Sequence, residues 1–344
     1  MLKYLIVGSG YRALYYGRIA QRYPDLFRAS YLCRSEEKAA LMHSETGARA
    51  YTSEADALAF RPDFIVVAVD RAHICEITLL WARRGYPVLC ETPVASNPEQ
   101  IRELRSLHET GAKIVCCEQY HRYPLLAFGM RLLEEGAIGI PVSAYLSLAH
   151  EYHGFSLIRR MLGTVKEPYT IRAERHTSTL LATDSRYGAI TDGSTASETR
   201  DLAYITFASG KTAVYDFAPI QYRSFIRSRH LCVRGTRGEW CDTVIYGVDD
   251  CNRPVRTLLL PEISQRYTVL DTQNLRDARK TWQPELFLDT LQDEFAIASI
   301  LFDMQDFLRD GTEPYPFSEA IDDAAFAIQL SKAIADPWTS FSGF

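Results

Sequence analysis

Apolar and polar positions alternate in blocks through the first third of the chain. Short apolar runs at Tyr4–Val7, Ala29–Cys33, Phe64–Val69, Pro87–Cys90 and Lys113–Cys117 are strand-sized. Between them, Ala13–Arg22, Glu36–Thr46, Ile74–Arg84 and Pro98–Thr110 carry apolar residues at helical spacing. Gly47, Gly85 and Gly111 follow helical stretches where C-terminal caps belong, and Ser96-Asn97-Pro98-Glu99 is a start signal. Apolar strands alternating with helices predict an α/β domain, a doubly wound parallel sheet covered on both faces.

Beyond residue 120 the pattern changes. A helix is predicted at Leu125–Glu135, closed by Gly136, with a strand at Val142–Leu148. Strand patterns follow at Leu202–Phe207, Thr212–Phe217, His230–Arg234 and Arg256–Leu260, and Ser209-Gly210 suits the turn of a hairpin. Gln283–Arg309 and Ser318–Ala335 read as long helices. Thr177–Thr199, rich in Ser, Thr and Gly, reads as a polar loop over a site.

The 344 residues suit two domains, and a net charge of −5 leaves no electrostatic footprint for nucleic acid or an anionic membrane. The eight cysteines include no C-x-x-C pair, which argues against a disulfide framework or a metal site. Met1 to Gly8 already runs from a strand into a glycine turn, with no leader and no bilayer-length apolar stretch, so the cytoplasm is the expected compartment. Only seven of the 38 basic residues are lysines, so chemistry that needs a lysine has few places to find one.

Gly8-Ser9-Gly10-Tyr11-Arg12-Ala13 fits G-x-G-x-x-[G/A] between the first strand and first helix. Gly8 allows the sharp turn, Gly10 lets the backbone approach a pyrophosphate, and Ala13 lets helix and strand pack closely. At the end of the second strand, where NAD-binding domains place a carboxylate for the ribose, the chain has Arg34 and Ser35. A guanidinium beside a hydroxyl suits a 2′-phosphate, so NADP(H) is expected over NAD(H) unless Glu36 reaches back to the ribose.

Five ordered stretches resemble the glucose–fructose oxidoreductase, inositol dehydrogenase and MocA family. They are the glycine turn; Ala68-Val69-Asp70-Arg71-Ala72-His73; Gly85 to Pro93, similar to G-x-x-V-x-x-E-K-P; Glu118-Gln119-Tyr120-His121-Arg122-Tyr123-Pro124; and the Ser209-Gly210 hairpin with Gly235-Thr236-Arg237-Gly238. The resemblance implies an NAD(P)-binding Rossmann domain over 1–120 and an α+β domain with a large, mostly antiparallel sheet over 121–318. Residues 319–344 would return to the cofactor domain. It also implies hydride transfer to or from a sugar, cyclitol or related small molecule, and a homodimer or homotetramer built through the second sheet. Val69, Asp70, His73, Glu91, Thr92, Pro93 and Gln119 join Gly8, Gly10, Tyr11, Arg12, Ala13, Arg34 and Ser35 as cofactor candidates.

Two departures bear on catalysis. The lysine of E-K-P falls on Thr92, whose hydroxyl cannot stabilise an alkoxide as an ammonium can. Of the family's D-x-G-x-H signature only His153 remains, with the aspartate position at Ala149 and the glycine position at Glu151. The catalytic candidates are therefore His153, Tyr152, Tyr120 and Thr92, and His121, Arg122, His150 and His176 are candidates for substrate contact. An imine substrate would ask less of a missing lysine. A nicotinamide-binding sensor, or a redox-neutral lyase or glycosidase with bound NAD, are the competing functions.

Overall fold

A computed structural model describes residues 1–185, 188–259, 289–337 and 339–343, with only the backbone of 289–292. The described chain divides into two compact units: residues 1–124 with 289–325, and residues 125–259 with 326–343.

The first unit carries a parallel sheet of six strands, ordered β3-β2-β1-β4-β5-β6. Its elements are β1 (Leu2–Val7), α1 (Tyr11–Arg22), β2 (Phe27–Leu32), α2 (Glu36–Thr46), β3 (Arg49–Tyr51), α3 (Glu54–Leu58), β4 (Phe64–Val67), α4 (Ile74–Arg83), β5 (Val88–Cys90), α5 (Pro98–Glu109) and β6 (Ile114–Cys116). The strands are apolar throughout because successive side chains enter different cores. Phe64, Val66 and Leu89 face one cluster with Tyr16 and Ile19 of α1, whereas Ile65, Val67 and Val88 face the other with Leu79 and Leu104. The sequence pattern misses β3, a half-exposed edge strand of three residues.

The far end of the chain completes both cores. Helix α8 (Asp289–Asp310) sends Phe295, Ile297, Leu301, Met304 and Phe307 into the first. Tyr315 and Phe317, with Ile321 and Ala324 on helix α9 (Phe317–Ala335), fill the second. The return to the first unit thus begins before residue 319, and residues from Phe326 onward group with the second unit, a correction to the expected boundaries. The predicted start of this helix at 283–288 lies outside the described residues.

The second unit carries a nine-strand sheet, ordered β16-β15-β14-β13-β7-β12-β11-β8-β17. All its pairs are antiparallel except β12 with β7. The strands are β7 (Pro141–Ser147), β8 (Tyr169–Leu181), β11 (Thr195–Phe207), β12 (Thr212–Phe217), β13 (His230–Gly235), β14 (Gly238–Cys241), β15 (Val244–Val248), β16 (Pro254–Leu258) and β17 (Phe341–Gly343), with a two-strand pair, β9 (Asp184–Ser185) and β10 (Gly188–Ala189). Helix α6 (Pro124–Glu134) precedes β7, and α7 (Glu151–Leu162) packs on β7 and β12. Phe155 of α7 stacks on Phe326 with centroids 4.0 Å apart and meets Tyr169 at 4.8 Å.

Within the polar stretch 177–199, both ends are strand, not loop. Thr177 to Leu181 and Thr195 to Thr199 extend β8 and β11 into paired arms. Their alternating small and β-branched residues suit a solvent-facing ribbon, so polarity here marks exposure, not absence of structure. The last predicted strand ends at Leu258, and Leu260 lies outside the described residues. Among the described residues no helix is long and apolar enough to cross a membrane.

Gly8 sets the turn between β1 and α1. Its φ is +137°, and a Cβ there would stand 2.1 Å from the Ala68 carbonyl oxygen at the end of β4. Gly8→Ala is expected to destabilise the protein by about 3 kcal/mol or more, combining a disfavoured backbone with a backbone clash. Chemical denaturation of the purified variant measures this.

Candidate active site

Helix α1 begins at Gly10, whose side of the turn is open. A Cβ there would meet nothing within 4 Å, no side chain caps the helix, and its first turn carries no acidic residue. Unsatisfied N–H groups at the positive end of a helix, approached through a glycine, form a site for a phosphate anion. Ala13 is fully buried. Tyr11 is half exposed, its hydroxyl 2.9 Å from that of Tyr15.

Arg12, expected at the cofactor, is engaged by the protein itself. Its Nε donates to Glu91 Oε1 at 2.8 Å and its Nη1 lies 3.4 Å from Asp293 Oδ2. Burial opposes the charge on Arg12, but the two carboxylates raise its pKa well above the ordinary range. Glu91 also accepts from the Tyr16 hydroxyl at 2.6 Å and from the Thr92 amide at 3.3 Å. This buried carboxylate fastens α1 to the loop after β5, where the peptide between Thr92 and Pro93 is cis. Gln119 is buried close by, with Nε2 3.5 Å from Asp293 Oδ1 and with no described partner for its Oε1.

At the end of β2, Arg34 is exposed, and Ser35 caps α2 by accepting from the Lys38 amide at 3.3 Å. Glu36, the carboxylate that could have turned back to a ribose, accepts a hydrogen bond from the Thr52 hydroxyl. After β4, Val69 is half-buried and Asp70 shapes the turn, its Oδ1 accepting from the Ala72 amide and its carbonyl from the His73 amide. His73 stands at the start of α4.

Tyr120, His121 and Arg122 form a single 3₁₀ turn. Tyr120 is buried against Tyr123, and the His121 ring lies 5.1 Å from that of Tyr315. Arg122 is a correction to the expected substrate contact. Only 5% exposed, it donates to Asp303 at 2.7 Å, Ser299 at 3.1 Å and the Pro314 carbonyl at 2.8 Å. The guanidinium anchors the returning chain, because a buried cation must be paired.

In the second unit, the residues around His153 gather at the start of α7. His150 Nδ1 is 2.5 Å from the Tyr222 hydroxyl, which also accepts from the His150 amide at 3.0 Å. His150 Nε2 is 2.8 Å from the Tyr152 hydroxyl, and the Tyr152 and His153 rings lie 4.4 Å apart. Tyr152 and His153 are both buried. An imidazole with a phenol on each nitrogen can take a proton at one and release it at the other. Tyr222 lies in the short turn Pro219–Tyr222 after β12, and no motif signals it in the sequence.

Glu151, at the glycine position of the family signature, has φ +37°. Its amide donates to the Tyr215 hydroxyl at 2.7 Å, and burial keeps that phenol neutral by pushing its pKa far up. Ala149, at the aspartate position, is fully buried. His176 stands apart from this cluster in residue contacts. It lies within β8, largely exposed, 3.4 Å from Glu174, so it does not open a loop as expected.

Residues 2–119 match the oxidoreductase family GFO_IDH_MocA, an NAD-binding Rossmann fold. The first unit has the parallel, helix-covered sheet of a Rossmann fold. No curated protein matches the sequence. Solved structures share the fold along nearly the whole chain. An oxidoreductase from Agrobacterium radiobacter, in complex with NAD+, L-tartaric acid and magnesium, has a TM-score of 0.72 and 14% identity over 99% of this chain and 98% of its own. A levoglucosan dehydrogenase with NADH and levoglucosan has a TM-score of 0.72 and 15% identity over 99% of both chains. An NAD-binding oxidoreductase from Klebsiella pneumoniae has a TM-score of 0.73 and 14% identity over 100% of this chain and 99% of its own.

The Rossmann turn predicts a separation of fold from binding. Gly10→Ala should lower stability by less than about 1 kcal/mol, yet weaken dinucleotide binding tenfold or more, about 1.4 kcal/mol. Thermal unfolding and fluorescence titration measure the two effects. At Glu151, relief of the left-handed backbone should outweigh the entropy of glycine, so Glu151→Gly should raise stability by about 0.5–1 kcal/mol, read as a higher unfolding midpoint.

Proposed function

We propose that the protein is an NADP(H)-dependent cytoplasmic oxidoreductase of the glucose–fructose oxidoreductase, inositol dehydrogenase and MocA type. It transfers a hydride to or from a small polar carbonyl, a sugar- or cyclitol-like alcohol, or an imine. The hydrogen-bonded chain Tyr222–His150–Tyr152 carries this reading, because it supplies a proton path that needs no lysine. A similar structure, a levoglucosan dehydrogenase with NADH and levoglucosan, supports the substrate class.

A bound nicotinamide would supply or accept the hydride. The α1 amides beyond Gly10 would hold the pyrophosphate, and Arg34 would pair with a 2′-phosphate. The engagement of Glu36 by Thr52 favours the phosphate over a free ribose hydroxyl. Tyr152 gives its proton to the developing alkoxide oxygen, or takes it in the reverse direction. His150 restores that proton from its Nε2 while its Nδ1 takes one from Tyr222. His153 orients the Tyr152 ring, and Thr92 donates one hydrogen bond.

Arg34→Ala should weaken NADP(H) binding by about 10- to 100-fold, the loss of a charge-assisted hydrogen bond, and leave NAD(H) binding unchanged. Equal affinities in the unmodified protein would rule out the NADP(H) assignment. Absorbance of NADPH followed against sugars, inososes, keto acids and cyclic imines tests the activity. On the substrate found, Tyr152→Phe should lower kcat by about 10²–10⁴, the range for losing a general acid. Tight NADPH binding without turnover across the panel would instead make the protein a nicotinamide sensor.

A further inference from the structure

Strands β13 and β14 set Cys232 directly opposite Cys241. The Asp242 amide donates to the Leu231 carbonyl, so the neighbouring pair is the hydrogen-bonded one and the cysteines occupy a non-hydrogen-bonded position. There opposed Cα atoms stand about 4.5 Å apart, at the short end of the range a disulfide spans. The two Sγ atoms are 2.9 Å apart. Glu239 shares their face of the sheet and places Oε2 3.9 Å from Cys232 Sγ. Arg234, opposite Glu239, holds the same carboxylate oxygen at 3.5 Å. Both thiols are half exposed, whereas Leu231, Val233 and Trp240 on the other face are buried.

We infer that Cys232 and Cys241 are a reversible dithiol–disulfide pair, open to small disulfides of the glutathione type. Cys232 passes its proton to Glu239, and its thiolate attacks the oxidant, forming a mixed disulfide and releasing one thiolate. Cys241 then loses its proton to that thiolate and displaces the second thiolate, which takes the proton held by Glu239. The products are one protein disulfide and two molecules of free thiol, so the oxidant is reduced by two electrons. Burial and the hydrogen bond with Cys232 push the Cys241 thiol up to about 12, which makes it the second thiol to react. The same three donors lie close enough to hold a metal ion. Two thiolates on a tetrahedral zinc ion, however, stand about 3.8 Å apart at ordinary bond lengths, and Arg234 already pairs with Glu239.

The test incubates the full folded chain with oxidised glutathione, then unfolds and alkylates it for intact-mass and peptide analysis. The expected product contains a Cys232–Cys241 linked peptide lighter by two hydrogens, distinct from any adduct on the exposed Cys251, and reverts with dithiothreitol. Cys232→Ser and Cys241→Ser should each stop at one glutathionyl adduct on the remaining thiol. Glu239→Gln should slow formation of the link several-fold. A folded protein that keeps both thiols at equilibrium with the oxidant would overturn the proposal. So would stoichiometric zinc in the purified protein that Cys232→Ser loses.

Discussion

A carboxylate that cannot reach water organises the first unit. Glu91 is buried at the end of β5, and such a group is tolerated only if it is paired and hydrogen-bonded. Arg12 and Tyr16 supply the pairing from α1, and Asp293 of α8 shares Arg12. One cluster therefore fixes the helix that opens beyond the glycine turn, the loop bearing Thr92 and Pro93, and the returning C-terminal segment. Removing one partner of a buried pair costs about 3–5 kcal/mol, enough to make this cluster a condition of the fold. Arg122 repeats the device, fastening the 3₁₀ turn to Asp303 and Pro314.

Phenols play the corresponding part in the second unit. Tyr215 accepts the Glu151 amide and Tyr222 accepts the His150 amide, so two phenol hydroxyls hold the irregular entry to α7. Glu151 keeps a left-handed backbone without the glycine that would make it easy. Strain held in place by neighbouring hydrogen bonds is characteristic of sites where side-chain position matters. The same bonds align His150 between Tyr222 and Tyr152, so the support of the backbone and the proton path share their atoms.

Much of the fold was legible along the chain. Continuous apolar runs separated by helical periodicity identify a parallel sheet covered on both faces, and the glycine spacing locates the turn above β1. Short or solvent-facing elements were less legible. β3 buries too little to impose a pattern, and the outer arms of β8 and β11 bury only Leu180 and Glu198 between them, so their remaining positions are free to be polar. Polarity alone predicts a loop there, whereas His176 lies within a strand.

What depends on neighbours within a few residues can be read along the chain: helix and strand period, the glycine turn, the caps, and the arginine at the end of β2. What depends on residues far apart in the chain emerges only on folding. Folding turns Arg12 and Arg122 into internal anchors, brings Tyr222 to His150, engages Glu36 with Thr52, and sets Cys232 against Cys241. Side-chain roles of this kind follow from burial and pairing, which spacing along one chain does not encode.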